Sequence, residues 1–348
     1  MPRPPKVSII VLNWNGLADT SECLRSVAEL DYGNAEVIVV DNASTDGSAE
    51  ALQRTFPFVR MIRNRENAGF AAANNQAMKR ALEGGADFVW LLNNDTVAPP
   101  DALGRLVGGA EPPEVGLTSP VIYFDAPGGK LQFCGSVIDW KNRRIVHLDG
   151  LEALAAVGPG ENLSLWGTAL LIKREVIGKI GYLSEKYFAY HEDEEYCLRA
   201  ARAGYRCIVV PEARIVHKNS RSTGSNDAPM QVFLRSRNMF FLWMDALRGM
   251  DRIRYFPIYL AHIVSYGGSL MGKNLSDSVE ACLDGVWSAF RGAGGPRNPD
   301  LRMPSFFRWL FRFLFSWHPY FWADLLRLDF PRISSNLRKR TKVMKAKN

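Results

Sequence analysis

The sequence predicts an α/β fold built on a largely parallel sheet, and two observations carry that reading. Short apolar runs rich in β-branched and aromatic residues, VSIIVL (7–12), EVIVVD (36–41), VRMIRN (59–64) and FVWLLN (88–93), alternate with segments of helical pattern at 17–30, 46–56 and 69–83. Near-continuous apolar strands between helices indicate a parallel sheet covered on both faces. The second observation is that each run ends in polar residues. In such sheets ligands bind beyond the carboxyl ends of the strands.

Those ends are Asn13-Trp14-Asn15-Gly16, Asp41-Asn42-Ala43-Ser44, Asn64 to Asn67, and Asn93-Asn94-Asp95. Stability alone does not require four neighbouring strand ends to carry the same kind of group. After about residue 112 the pattern changes. Segments 115–124, 131–147 and 163–173 read as further strands, 192–203 as a helix closed by Gly204, and CIVVPEARIVH (207–217) as another strand. From about 230 the chain becomes helical, aromatic and basic, and no internal repeat is visible.

The chain has 348 residues, 47% of them hydrophobic, enough for two domains or for one α/β domain with an appendage. MPRPPK leads directly into VSIIVLNWNG without an apolar leader, so a cytoplasmic protein is expected. Five widely spaced cysteines (23, 134, 197, 207 and 282) include no C-x-x-C, which argues for reduced thiols over a disulfide framework or zinc ribbon. The net charge of +7 is concentrated in residues 331–348, which hold seven Lys/Arg and no acid. Such a tail suits an anionic surface, or is a solvated end.

Several strand ends could carry chemistry. Asp41 opens DNASTDGS, which suits an Asx turn and equally presents a carboxylate to a base or ribose. Asn67-Ala68-Gly69-Phe70 starts a helix whose small residues would let a ligand approach the backbone, although a plain capped helix explains it as well. In Asn93-Asn94-Asp95, period-2 geometry puts residues 93 and 95 on one face. A D-x-D pair uses this spacing to hold a divalent cation, but here one member is an amide, so Asp95 needs a partner. His217, ending a strand, is a candidate ligand or a structural histidine. Tyr190-His191-Glu192-Asp193-Glu194-Glu195 puts four acids at a helix start, which the macrodipole favours and which also offers a general base. Lys218 to Ser225 is rich in cations and hydroxyls suited to oxyanions.

Taken in order, VSIIVLNWNG, VVDNASTDGS, NAGFAAANN, LLNNDT, WGTALLIKREV, GYLSEKYFAYHEDEEYCLRAARAGY and VPEARIVH resemble the family 2 glycosyltransferases, over about residues 6–238. The N-N-D-T and H-E-D-E-E segments are most similar to the bacterial rhamnosyltransferase-like branch. The resemblance implies a GT-A fold: a Rossmann-like nucleotide half with a mixed, mainly parallel sheet (about 1–112) and an acceptor half (113–240). A helical aromatic region (241–330) and the basic tail (331–348) would follow. It implies nucleotide contacts from Asn13, Asp41, Asn67, Gly69 and Asn94. Mg²⁺ or Mn²⁺ would be held by Asp95 and His217, and Arg221 and Ser222 would steady the leaving diphosphate. Trp166, Gly167, Thr168 and Glu192 would border sugar and acceptor, and Asp193 would be the general base of an inverting transfer. The donor would be a nucleotide-diphosphate sugar, with dTDP-rhamnose the first candidate, and the acceptor a lipid-linked glycan of a cell-surface polysaccharide. The chain departs from the family pattern in Asn93 or Asn94, where Asp is common, and in Glu195. The role of Arg237-Asn238 stays open.

SFFRWLFRFLFSW (305–317) places Ser305, Arg308, Arg312 and Ser316 on one helical stripe amid aromatic and aliphatic residues. It is too short to span a bilayer. It reads as an interfacial helix whose arginines would reach lipid headgroups, or as a helix docked on the enzyme. Residues 255–272 lack Lys, Arg, Asp and Glu but contain Pro257, and docking or membrane association is favoured over a span. Together these features predict a peripheral enzyme at the cytoplasmic membrane face. NWNGLADT lacks the G-x-G-x-x-G of a nicotinamide dehydrogenase and the cationic loop of a sugar nucleotidyltransferase. The acidic 192–195 cluster argues against a nucleic-acid partner. A non-catalytic carbohydrate-binding or scaffold protein of the same fold is the alternative. The oligomeric state is not legible.

Overall fold

A computed structural model describes residues 3–126, 128–158, 161–218 and 227–326; Arg221, Ser222 and the basic tail lie outside these described residues. The first half alternates as expected: β1 (Val7–Asn13), α1 (Leu17–Ala28), β2 (Ala35–Asp41), α2 (Ser48–Thr55), β3 (Val59–Arg63), α3 (Gly69–Glu83) and β4 (Phe88–Asn93). Strands β3, β2, β1 and β4 lie side by side and parallel, with Asn13 in register with Asp41 and Leu12 with Asn93. Alternate side chains face opposite ways. Ile10, Val40 and Leu91 pack with Ala73, Ala77 and Met78 of α3 on one face. Ile9, Val11, Val39 and Trp90 pack on the other with Leu24 of α1. Burial on both faces explains the uninterrupted apolar runs, and the level strand ends make one polar edge.

The second half completes the sheet with β5 (Thr96–Val97), α4 (Ala102–Gly109), β6 (Val115–Phe124), β7 (Leu131–Phe133), β8 (Ser136–Asp139), β9 (Arg144–His147), α5 (Leu151–Ala155), β10 (Ala169–Lys173), α6 (Arg174–Ile180), α7 (Glu192–Arg202) and β11 (Arg206–His217). The main sheet runs β3-β2-β1-β4-β10-β6-β11-β5, with β7 on β6. Strand β10 is antiparallel to both neighbours, β4 and β6, so the sheet is mixed. Two expected strands are shorter than their apolar patterns. Residues 131–147 break at Gly135, whose φ of 106° turns the chain, and residues 136–147 form a separate β8–β9 hairpin. In 163–173 the strand begins only at Ala169, because Trp166-Gly167-Thr168 forms a loop.

The C-terminal helices are α8 (Pro229–Ala246), α9 (Met250–Gly272), α10 (Ser276–Phe290), α11 (Ser305–Trp317) and α12 (Pro319–Leu326). Helix α8 runs unbroken through residue 240, where the sequence suggested a boundary. Helix α9 buries Tyr255, Tyr259, Ile263, Gly267 and Leu270 in the helical core, so 255–272 docks on the protein. A Cβ on Gly267 would sit 2.2 Å from Phe315, so only glycine lets α11 lie this close. No helix of the described residues is long and apolar enough to cross a membrane. Helix α11 turns its arginine stripe toward α10. Its arginines turn inward to acids of α10, Arg308 to Glu280 and Asp284, and Arg312 to Glu280. Phe311 and Phe315 are buried beside them, while Phe306, Trp309, Phe313 and Trp317 remain 66%, 62%, 47% and 73% exposed. The aromatic face meets solvent, and so does Arg312 in part beside its ion pair, while Arg308 is largely covered.

Candidate active site

The polar edge is one hydrogen-bonded network. Asn13, fully buried, donates from Nδ2 to Asp41 Oδ1 (2.8 Å) and Ser48 Oγ (2.8 Å), and accepts from Thr20 Oγ1. Asn94 donates to Thr20 Oγ1 at 2.9 Å, tying the fourth strand end to the first. Asn13 therefore bears on the crevice through Asp41. The Asp41 Oδ2 accepts from the Ser44 N–H, so the Asx turn is present and fixes the carboxylate. Asn42, which the sequence did not single out, organises the next turn. It accepts from Asn64 Nδ2 and the Ala68 N–H, and donates to Asn67 Oδ1. Asn67 in turn accepts from the Gly69 N–H. Gly69 has φ 80°, and a Cβ there would lie 2.5 Å from the Phe188 ring.

Asp95 and His217 meet because β5 pairs with β11, placing His217 opposite Thr96. The Lys218 N–H donates to the Asp95 carbonyl, closing the corner. His217 Nε2 lies 3.2 Å from Asp95 Oδ2, and both residues are buried. His217 Nδ1 faces Gln132 Oε1 at 2.9 Å. In the tautomer that carries its proton on Nδ1, facing the Gln132 oxygen, the Nε2 lone pair would point at the Asp95 carboxylate. A donor set of one imidazole and one carboxylate fits a divalent metal ion. No third His, Cys, Asp or Glu joins them among the described residues. Gln132 was not anticipated; nothing in its local sequence marks it.

Asp193 stands in the first turn of α7 and is half-buried. Its Oδ2 accepts from the Gly167 N–H at 2.7 Å and its Oδ1 from the Glu194 N–H. Burial, reinforced by the Glu194 charge, pushes its carboxyl up to about 6, against the opposing pull of the Gly167 N–H. The groups around it are sorted by environment. Burial would lower His191, but the Glu194 charge and hydrogen bond outweigh it and raise it; Glu194 is correspondingly lowered despite burial. Burial and then the Asp193 charge raise Glu192 well above its ordinary value, and its Oε2 has no hydrogen-bond partner among the described residues. Arg235 of α8 and His147 of β9 complete the charged surroundings of Glu194. Glu195 is structural: it binds Arg199, which also donates to the Ile180 and Tyr182 carbonyls.

The Trp166-Gly167-Thr168 loop joins the two sides. The Thr168 carbonyl accepts from the Asn93 N–H (2.8 Å) and the adjacent Gly167 N–H holds Asp193. Trp166 stacks on Phe133, with centroids 4.1 Å apart, and meets the edge of His147. His147 was also missed, since it lies on a hairpin whose pairing the sequence did not reveal.

Comparison with known proteins gives three findings. The model of glycosyl transferase family 2 matches residues 8–181. Among relatives, the chain is 30% identical over 256 residues to the uncharacterized protein y4gI of Sinorhizobium fredii, covering 66% of this chain but 26% of that protein. It is 28% identical over 221 residues to the N-acetylglucosaminyl-diphospho-decaprenol L-rhamnosyltransferase of Mycobacterium tuberculosis, covering 55% of this chain and 69% of that one. Among solved structures, the mannosyltransferase PcManGT of Pyrobaculum calidifontis, in complex with GDP-Man and Mn²⁺, superposes with TM-score 0.54 at 22% identity. It covers 92% of this chain and 85% of that one. That likeness places the fold among GT-A-like α/β folds.

Proposed function

The chain belongs to glycosyl transferase family 2, with relatives in its rhamnosyltransferase-like branch, and we propose that it is a metal-assisted, inverting glycosyltransferase of cell-surface polysaccharide synthesis. The observation that carries this reading is the Gly167-Thr168 step. It ties the end of β4, which leads into Asp95, to the carboxylate of Asp193. Asp95 with His217 would be the cation-holding pair and Asp193 the proton acceptor, at the polar edge where a nucleotide sugar and an acceptor hydroxyl would meet.

Asp95 and His217 would hold Mg²⁺ or Mn²⁺, which when bound offsets the charge that develops on the leaving diphosphate. Asp41, with Asn67, Gly69 and Asn94 around it, would seat the nucleotide. Arg221 and Ser222, outside the described residues, would add diphosphate contacts. Asp193 takes the proton of the acceptor hydroxyl, and a group titrating near 6 is ionised and still basic at neutral pH. The acceptor oxygen then bonds to the anomeric carbon as the carbon–diphosphate bond breaks on the opposite face. Trp166, Thr168 and Glu192 would border sugar and acceptor, and burial with the Asp193 charge favours the protonated form of Glu192.

The finer substrate reading is L-rhamnose from dTDP-rhamnose, passed to a lipid-linked glycan, which the mycobacterial relative's name supports. A peripheral place at the cytoplasmic membrane face is supported by the exposed aromatic face of α11 and by the seven cations and no acids of residues 331–348. The test is a thermal-shift and transfer panel of nucleotide-diphosphate sugars, with and without Mn²⁺, on polyprenyl-diphosphate-linked glycans. A Mn²⁺-dependent shift with one nucleotide, and sugar transfer from it, is the expected result. Absence of any Mn²⁺-dependent nucleotide binding overturns the proposal.

A further inference from the structure

The backbone leading into Asp193 is strained. Phe188 has φ 65° and ψ −62°, and the Ala189 N–H closes a three-residue turn onto the Tyr187 carbonyl. This is the γ-turn hand that side-chain-bearing residues rarely adopt. Tyr190 and His191 follow at φ 69° and 71°, again in the left-handed region. Three such non-glycine residues within four positions persist only if their surroundings over-determine them. Two residues later comes Asp193.

Those surroundings are supplied by Arg237 and Asn238 of α8, both fully buried. Asn238 Nδ2 lies 2.8 Å from each of three carbonyls, Tyr187, Ala189 and Tyr190. Its two hydrogens serve three acceptors of the strained turn. Arg237 locks the amide by donating from Nε to Asn238 Oδ1 (2.9 Å). It also donates to the carbonyls of Tyr187 (3.0 Å) and Gly295 (2.6 Å). No carboxylate pairs with this guanidinium among the described residues; its faces lie on Phe233 and Phe241. A buried cation without a counter-ion is costly, so a plain packing role does not account for it. On the turn's other side, the Phe188 carbonyl accepts from the Phe70 and Ala71 N–H groups at the start of α3, against the glycine that admits the ring.

We infer that Arg237 and Asn238 are positioning residues that hold the 187–191 turn in its strained shape and thereby aim the Asp193 carboxylate at Gly167 and the acceptor hydroxyl. The inference rests on the reading of Asp193 as general base. Neither residue touches substrate; they act through the backbone. Losing the amide lets the turn relax, and Asp193 drifts from the Gly167 N–H that stabilises its charged form. Misplacing a reacting group by a fraction of an ångström is felt in turnover far more than in binding.

The experiment compares Asn238→Ala, Arg237→Lys and Asp193→Asn in the full chain, reading kcat, donor KM, the pH–rate profile and the melting temperature. Asn238→Ala is expected to lower kcat about tenfold or more while donor KM stays within about threefold. The acid limb of its profile moves upward from about 6 as the Gly167 hydrogen bond is lost. Arg237→Lys, which keeps the charge and loses the fork, gives an intermediate loss. A lower melting temperature with unchanged kcat and acid limb overturns the inference and leaves a structural role. If Asn238→Ala does not fold, Asn238→Ser, which keeps one donor, is held to the same criteria. Turnover retained in Asp193→Asn overturns the base reading and the inference together. Turnover lost in Asp193→Asn but unchanged in Asn238→Ala overturns the inference alone.

Discussion

Replacing Asp193 by Asn should make the protein more stable and inactive, with a stability gain that depends on pH. Burial raises the folded-state carboxyl from 3.8 to about 6. A raised carboxyl contributes stability that is complete below the unfolded value and is lost as pH rises through the folded one. The wild type therefore loses stability between these limits, and the amide, which does not titrate, does not. A rise of that size corresponds to about 3 kcal/mol at pH 7.5 and about half of that at pH 5, where only the unfolded chain is ionised. Asp193 keeps partial contact with water, which screens the full figure toward about 2 kcal/mol. Asparagine retains one carbonyl oxygen for the Gly167 N–H and gives up the contact with the Glu194 N–H, which offsets part of the gain. The assay is equilibrium urea unfolding of both proteins at pH 5 and 7.5, beside turnover at neutral pH. Turnover should fall about 100-fold or more. Wild-type kcat/KM should climb with pH through about 6 as the base ionises. A variant no more stable than wild type at pH 7.5, or one whose advantage is the same at both pH values, refutes the desolvated-carboxylate reasoning.

Two other outcomes follow from the geometry. Asp95→Ala and His217→Ala should each raise the Mn²⁺ midpoint of a nucleotide-diphosphate thermal shift about tenfold or more; a normal midpoint in either removes that residue from the metal site. Combined Trp309→Ser, Phe313→Ser and Trp317→Ser should cut flotation with phosphatidylglycerol vesicles without lowering the melting temperature, because these side chains are exposed. Flotation equal to wild type rules out the aromatic face as the membrane contact.

The sequence exposed the first four strands well and the rest of the sheet poorly, for physical reasons. Strands β1 to β4 are buried on both faces and separated by helices, so their apolar runs and polar ends stand out locally. An apolar run carries no sign of direction, and the antiparallel insertion of β10 between β4 and β6 could not be read from ALLIK. Asp95 and His217 were paired through the resemblance, and the β5–β11 ladder gives the contact its physical basis. Asn42, Gln132 and His147 act through partners distant in the chain, and no periodicity marks such residues. The arginine stripe of α11 was visible as a stripe. Its destination was not, because the answering acids, Glu280 and Asp284, stand on another helix.

The carbonyls of Ala293 and Gly295 that cap the Arg237 guanidinium have a bearing on when the enzyme matures. During synthesis, residues 1–240 complete the sheet and every side chain assigned to chemistry. The nascent chain at that length still lacks the acceptors that let Arg237 go under cover, and its turn before Asp193 has no finished brace. Closure waits for some fifty-five further residues (240 to 295) to leave the ribosome and fold back. If Arg237 and Asn238 aim Asp193 as inferred, activity would wait until the helical region is in place, and a fragment ending near residue 240 would carry the named reactive groups with that brace unfinished.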